Sequence, residues 1–128
     1  MKWGLSTNKI FVSLLTVDVN KIRTIGHVPE QGRLLYVGSM IERKGLDLLV
    51  SALRYVDEDF QLRIVGNGTD KEIEELKTRI KNANLLGKVE FCGFKQGKDL
   101  LEEYQYASVF VLPTREDCFG LVLLEAAC

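Results

Sequence analysis

Short apolar segments and amphipathic segments alternate along this chain from about residue 33 to its end. Four apolar runs have the length and the flanking Gly or Pro of buried strands: RLLYVGS, FQLRIVGNG, KVEFCG and SVFVLPT. Segments with apolar residues at helical spacing follow each of them: GLDLLVSALRYV, TDKEIEELKTRIKNANLLG, GKDLLEEYQYA and FGLVLLEAA. In the second of these helices, Thr69 or Asp70 is the predicted N-cap and Gly87 the predicted end.

This alternation predicts an α/β fold, a Rossmann-like doubly wound parallel sheet. The strands lack an alternation of apolar and polar residues, which indicates that both faces of the sheet are covered. Strands that alternate with helices pair in parallel through right-handed crossovers. Because ligands bind at the carboxyl ends of such strands, the loops GSMIERKG, GNG, CGF and PTREDCFG are expected to converge at one functional edge.

The first 32 residues follow a different pattern. Residues 9–17, KIFVSLLTV, are predicted to form one strand, and the polar stretch DVNKIRTIGHVPEQG has no clear period and is predicted to be a linker. His27 lies in this stretch and is expected to be a solvated linker residue.

Composition narrows the function classes. The chain has 128 residues, 46% of them hydrophobic, and a net charge of −1, so it is one domain or part of one and has no broad basic face for nucleic acid. Three Cys without a CxxC and a single His argue against a zinc site. No secretory signal and no apolar run of membrane-spanning length is present, which favours reduced thiols and a cytoplasmic location.

The closing stretch TREDCFGLVLLEAAC carries the strongest candidate chemistry. The last predicted helix begins at Gly120, and the free amides of Phe119, Gly120 and Leu121 would form an anion site there. Glu125 lies about 7.5 Å further along the axis, comparable to the distance from a nucleotide's phosphates to its ribose. Asp117, in the loop, could hold hydroxyls of a group beyond the phosphates. Spacing alone does not decide between ligand binding by these two acids and the ordinary alternative, in which Asp117 caps the helix and Glu125 is a solvated helix residue. The apolar flanks of Glu125 favour binding.

Two further loops add weaker signals. Lys44 stands just before a helix, where an ammonium can pair with a diphosphate, and Arg43 adjoins it; an ordinary exposed basic loop is the alternative. Gly66 in VGNGT would let the backbone approach a ligand, with an ordinary turn as the alternative. Neither GxGxxG nor a Walker motif is present, and one His leaves no plausible catalytic pair for a Ser or for Cys118.

Taken in order, LLYVGSMIERKGLDLLVSAL, LRIVGNGTDKEIEEL, KVEFCGF and ASVFVLPTREDCFGLVLLEAA resemble the donor-binding half of glycosyltransferase family 4. These are retaining, nucleotide-sugar-dependent enzymes with the two-domain GT-B fold. The resemblance implies that residues 1–32 are the tail of the N-terminal acceptor domain with the interdomain linker. Residues 33–128 would be the donor-binding domain, truncated at its C-terminal end. A piece of this kind is expected to have little or no transferase activity by itself, and the strand at 108–112 would become an apolar edge.

The resemblance also implies roles for residues. The family's two acids, separated by seven residues, match Asp117 and Glu125, with Asp in place of the usual Glu. Asp117 and Lys44 would be catalytic, Asp117 at the donor sugar and Lys44 at the phosphates, while Glu125 would hold the ribose. Ser39 stands where many members carry an Arg, and Arg43 is the candidate to compensate. The implied donor contacts are completed by Phe119, Gly120, Leu121, Gly38, Ser39, Arg43, Gly66 and, at the nucleobase, Cys92, Gly93 and Phe94.

The implied function is transfer of a sugar from a nucleotide-diphosphate sugar to a glycan or lipid-linked acceptor, in surface polysaccharide synthesis. No cofactor and no metal is expected, nucleic acid is not an expected partner, and the whole protein could associate peripherally with a membrane. Two alternatives stay open: a GT-B sugar-nucleotide epimerase, which fits the spaced acids less well, and a non-catalytic α/β nucleotide-binding module.

Overall fold

A computed structural model describes residues 28–116 and 121–127. These residues form a four-stranded parallel sheet in the order β3-β2-β1-β4, with helices between the strands. The predicted strand at 9–17, most of the linker and His27 lie outside the described residues. In chain order the elements are β1 (Arg33–Val37), a 3-10 helix (Glu42–Lys44), α1 (Leu46–Leu53), β2 (Gln61–Val65), α2 (Asp70–Asn82), β3 (Val89–Gly93), α3 (Gly97–Tyr106), β4 (Val109–Phe110) and α4 (Leu121–Ala126).

The predicted doubly wound arrangement is confirmed by the two cores of the sheet. Successive residues of a strand point to opposite faces, so β1 sends Tyr36 to one face and Leu35 and Val37 to the other. The first face packs against α1 and α2, whose buried residues include Leu49, Val50, Leu53, Leu76 and Ile80. The second face packs against α3 and α4, through residues that include Leu100, Tyr104 and Val122.

β4 is shorter than its apolar sequence suggests. Only Val109 and Phe110 pair with β1 as strand residues, and the backbone N–H of Val111 donates one more hydrogen bond to the Leu35 carbonyl, at 2.8 Å. Pro113 follows directly and lacks a backbone donor. Within the described part of the sheet β4 is an edge strand, and Val109 is 49% exposed.

The predicted N-terminal end of α2 is confirmed, and its predicted C-terminal end is wrong. Thr69 is the N-cap, in a capping box with Glu72. The helix ends at Asn82 rather than at Gly87, because Asn84 takes the left-handed conformation, with φ 58°. The N–H of Leu85 then reaches the Ile80 carbonyl at 3.0 Å, the pattern of a Schellman motif, and Leu85 turns into the core. None of the helices in the described residues is long and apolar enough to cross a membrane.

A buried carboxylate ties α3 to the sheet. Glu103 is only 2% exposed and accepts hydrogen bonds from Arg33 at 2.8 Å, from Arg63 at 2.6 and 2.7 Å, and from Lys95 at 2.5 Å. Burial alone raises the pKa of Glu103, but the hydrogen bonds from these three cations outweigh it and bring the pKa down to about 2. Arg63 also pairs with Glu90, which is exposed.

The low pKa of Glu103 predicts a loss of stability in acid. Because the pKa of the folded state, about 2, lies below the ordinary value of 4.5, the stabilisation is complete above about pH 4.5 and is lost as the pH falls toward 2. The shift corresponds to roughly 3 kcal/mol of unfolding free energy. Urea unfolding followed by circular dichroism between about pH 7 and about pH 3 measures it. The pH dependence should be markedly smaller in a Glu103→Gln variant, and equal slopes in both proteins would contradict the assignment.

Candidate functional site

The loops that follow β1, β2 and β3 meet at the carboxyl edge of the sheet, as predicted. The Gly38 N–H donates to the Val65 carbonyl at 2.9 Å, and the Gly66 N–H donates to the Gly93 carbonyl at 2.8 Å. Further out, the Met40 N–H donates to the Asn67 carbonyl at 2.9 Å. Three of the four irregular loops are therefore joined by backbone hydrogen bonds directly beyond the strands.

The start of the first loop lies over a buried tyrosine. The hydroxyl of Tyr36, whose residue has no exposed surface, donates to the Ser39 carbonyl at 2.8 Å. A Cβ on Gly38 would lie 2.9 Å from this hydroxyl, so a side chain there would displace it. Ser39 is thus held through its backbone carbonyl, and the residue is half-buried.

The fold itself requires a glycine at position 66. Its φ is 144°, and a Cβ at this position would lie 1.9 Å from the Gly38 carbonyl oxygen. The sequence predicted a close approach of this backbone to a ligand, whereas the close approach in the structure is between the ends of β1 and β2. A contact of Gly66 with a ligand stays a prediction.

The two basic residues of the first loop lie in a short helical turn. Lys44 is half-buried and Arg43 is exposed, and Gly45 follows with φ 70° as the N-cap of α1. Gly45 packs so closely on the β4 side that a Cβ would lie 2.0 Å from the Pro113 carbonyl oxygen. The Arg43 guanidinium reaches the Glu116 carbonyl at 3.4 Å, a long hydrogen bond.

The loop after β4, residues 113–116, is joined to this basic turn along a seam. The Arg115 N–H donates to the Arg43 carbonyl at 2.9 Å. The Thr114 hydroxyl lies 3.2 Å from the same carbonyl and 2.8 Å from the Glu116 carbonyl, so its one hydrogen is shared between these two acceptors. The Arg115 guanidinium donates to both carboxylate oxygens of Asp47, at 2.8 and 2.7 Å, and to the Glu42 carbonyl at 2.7 Å. This hydrogen bonding lowers the pKa of Asp47 and keeps it ionised. Neither Arg115 nor Asp47 was expected from the sequence, since they are 68 residues apart.

Glu125 is half-buried rather than solvated. It lies on α4, and its carboxylate accepts a hydrogen bond from the Tyr104 hydroxyl at 2.9 Å. Burial, and then the hydrogen bond to Glu125, raise the pKa of Tyr104, so the phenol stays protonated and remains a donor. The structure thus holds one oxygen of Glu125 in a defined direction, which a solvated helix residue would lack.

The remaining predicted site residues lie in the last loop, in α4 and in the loop after β3. Asp117, Phe119 and Gly120 lie outside the described residues, and Leu121, half-buried, opens α4. At the third loop, Gly93 has φ 69° and Phe94 is 68% exposed. Burial raises the pKa of the neighbouring Cys92 thiol, which argues against a reactive thiolate there. The proposed nucleobase contacts of this loop stay predictions.

A cleft of about 430 Å³ lies between residues 40–47, which include the start of α1, and one side of α2 as far as Arg79. Its lining contains none of the residues predicted to bind a ligand. Acidic and basic side chains share it, among them Glu42, Asp47, Lys71 and Arg79.

Both the sequence and the fold of this chain are similar to those of known proteins. The family model described as glycosyl transferases group 1 matches residues 18–128. An uncharacterised glycosyltransferase of Methanocaldococcus jannaschii is 31% identical over 108 residues, covering 84% of this chain and 28% of that protein. The putative colanic acid biosynthesis glycosyltransferase WcaL of Escherichia coli is 30% identical over 118 residues, covering 88% of this chain and 29% of that protein.

Among solved structures, Anabaena HepE in complex with UDP and glucose has a similar fold, with a TM-score of 0.69. Its sequence is 20% identical, and the match covers 74% of this chain and 26% of that one. The chain therefore spans less than a third of the length of these proteins.

Proposed function

The chain belongs to the glycosyl transferases group 1 family, and on that premise we propose that it forms the nucleotide-sugar-binding part of a glycosyltransferase. The reaction would move a sugar from a nucleotide-diphosphate sugar to a glycan or lipid-linked acceptor, with retention of configuration. The single observation that carries the proposal is the seam that holds the Lys44 turn against the loop after β4. The seam joins the backbone of the turn that carries Lys44 to residues 113–116, which precede α4 and Glu125 in the chain.

Lys44 is proposed to bind the diphosphate. An ammonium at this position acts as a point charge on phosphate oxygens, and it would stabilise the negative charge that develops on the leaving nucleoside diphosphate. Arg43 lies one residue away and is exposed, so it can add a second positive charge where Ser39 carries none. The backbone of the turn is held on one side by the packing of Gly45 on Pro113 and on the other by the hydrogen bond to the Arg43 carbonyl. The backbone that carries the Lys44 side chain is therefore fixed in place.

Glu125 is proposed to bind the two hydroxyls of the ribose. One carboxylate oxygen is oriented by the Tyr104 hydroxyl, and the carboxylate has lone pairs left to accept from vicinal hydroxyls. A carboxylate oriented in advance loses less freedom on binding, which favours affinity. Tyr104 is thus a second residue that we expect nucleotide binding to depend on.

Several finer points belong to the same proposal. The solved structure of HepE contains UDP and glucose, which supports a uridine nucleotide as the first donor to try. WcaL is named as a putative colanic acid biosynthesis glycosyltransferase, which supports a role in polysaccharide biosynthesis. We further propose that this polysaccharide is a surface one and that the protein is cytoplasmic. We also propose that no divalent metal is required, so nucleotide binding should be the same in EDTA and in magnesium chloride.

A thermal-shift panel tests the proposal directly. The chain is heated with UDP, GDP or ADP, and one of them is expected to raise the Tm. Ligand at 100 times its Kd adds about 2.7 kcal/mol of stability, which is roughly 10 °C for a chain of this size. Glu125→Ala should abolish most of the shift, and Tyr104→Phe should reduce it, because the carboxylate loses the donor that orients it.

The matched control is Glu102→Ala, which removes one acid from an exposed position on α3. It changes the net charge by the same amount as Glu125→Ala and should leave the nucleotide-induced rise in Tm unchanged. A shift that survives in Glu125→Ala, or that is lost equally in Glu102→Ala, would contradict the assignment of the ribose site. A folded chain with no shift for any of the three nucleotides would contradict the proposed function.

A further inference from the structure

We propose that Arg115 and Asp47 are positioning residues for the donor site, and that their ion pair sets the place of the Lys44 ammonium. The inference rests on the proposed function, since it concerns how the same site is held. Neither residue needs to touch the donor. Their effect would pass through the backbone of the turn that carries Lys44.

Among the described residues, the hydrogen bonds of Arg115 go to the turn and to Asp47, the second residue of α1. Its guanidinium makes a bidentate pair with Asp47 and a third hydrogen bond to the Glu42 carbonyl. Its backbone N–H donates to the Arg43 carbonyl. One residue of the loop after β4 therefore holds three positions of the opposite segment, two before Lys44 and one after it.

Lys44 lies inside the held segment. Its own N–H donates to the Ile41 carbonyl at 3.0 Å, and Gly45, the next residue, packs on the Pro113 carbonyl. The backbone of Lys44 therefore cannot move relative to β4 without breaking contacts on both sides. Without the Arg115 guanidinium, the seam loses the bidentate pair with Asp47 and the bond to the Glu42 carbonyl. The Arg115 backbone bond, the Thr114 hydroxyl and the long hydrogen bond from Arg43 to the Glu116 carbonyl remain.

The exposure of the pair argues for positioning rather than for stability. The Arg115 and Asp47 side chains retain 36% and 26% of their exposure, and ion pairs this open to water contribute little to the unfolding free energy. The charge of Arg115 is also matched by a carboxylate at hydrogen-bonding distance, so Arg115 is poorly suited to bind a phosphate itself. What a bidentate pair does supply is fixed geometry.

The test uses the opposite charges of the two residues. The Kd of UDP, GDP or ADP, whichever wild type binds most tightly, is measured by titration calorimetry for Arg115→Gln, Asp47→Asn and the double variant. Simple electrostatics predicts that Asp47→Asn tightens binding of an anion, because it removes a negative charge. Positioning predicts the reverse: each single variant should bind about tenfold more weakly, or about 1.4 kcal/mol. The double variant, whose net charge is that of wild type, should bind no more weakly than the worse single variant.

Lys77→Gln is the matched control. Lys77 pairs with Glu74 at 2.7 Å on the exposed side of α2, so this variant removes a positive charge and an ion pair far along the chain from the seam. It should keep the wild-type Kd and a nearly unchanged Tm.

The outcomes separate this inference from the proposed function. Wild type that binds none of the three nucleotides would overturn both. Wild-type binding that Asp47→Asn leaves unchanged or tightens would overturn the positioning role and leave the donor site standing. Failure of Asp47→Asn to fold would also overturn it, because the pair would then be a major source of stability.

Discussion

Replacing Glu103 by Gln is expected to destabilise the chain by about 3–5 kcal/mol, a large part of the 5–15 kcal/mol typical of a domain. The reason is that Arg33, Arg63 and Lys95 all donate to this one buried carboxylate. A neutral amide in its place would leave three cations close together with no buried counter-charge. Urea unfolding at neutral pH, followed by far-ultraviolet circular dichroism, measures the change.

Glu90→Gln is the matched control for this prediction. Glu90 pairs with Arg63 as Glu103 does, but its side chain is 51% exposed, so the same substitution should cost less than about 1 kcal/mol. Equal losses in the two variants would show that burial of Glu103 does not determine the effect. A Glu103→Gln chain with wild-type stability would contradict the network described here.

Replacing Gly66 by Ala is expected to cost about 3 kcal/mol or more. Two independent features oppose a side chain there. The φ of 144° lies in a region that residues with a Cβ rarely adopt, and the new Cβ would lie 1.9 Å from the Gly38 carbonyl oxygen. Because the neighbour is backbone, the ends of β1 and β2 would have to separate. Urea unfolding tests this prediction as well. A smaller rise in Tm on addition of nucleotide would show that the carboxyl edge of the sheet is also damaged.

Gly87→Ala separates the two causes. Gly87 also has a positive φ, 82°, but an added Cβ would meet no atom within 4 Å. It carries only the conformational cost, about 1 kcal/mol. If Gly66→Ala destabilised the chain no more than Gly87→Ala, the close approach of the two strand ends would not be the cause.

The alternation of apolar and amphipathic segments was sufficient for the fold class. Buried parallel strands are apolar on both faces, and their crossover helices have one apolar stripe, so both patterns are local and can be read without a partner. The N-cap at Thr69 is local in the same way, because a capping box spans four consecutive residues. The end of α2 was predicted incorrectly because Asn84 and Gly87 both tolerate a positive φ, and only the burial of Leu85 decides between them.

For the site, the sequence by itself determined which residue types follow the carboxyl ends of the strands, including Lys44 in the first loop and Glu125 in the last helix. Only the tertiary structure decided what those residues touch. Arg115 meets Asp47 across 68 residues, Glu103 meets Arg33 across 70, and Glu125 meets Tyr104 across 21. In the sequence Glu102 and Glu103 look alike, yet one is exposed and the other buried. The physical reason is that hydrogen bonds and ion pairs depend on distance in space, which the crossovers of the sheet set and a local pattern does not contain.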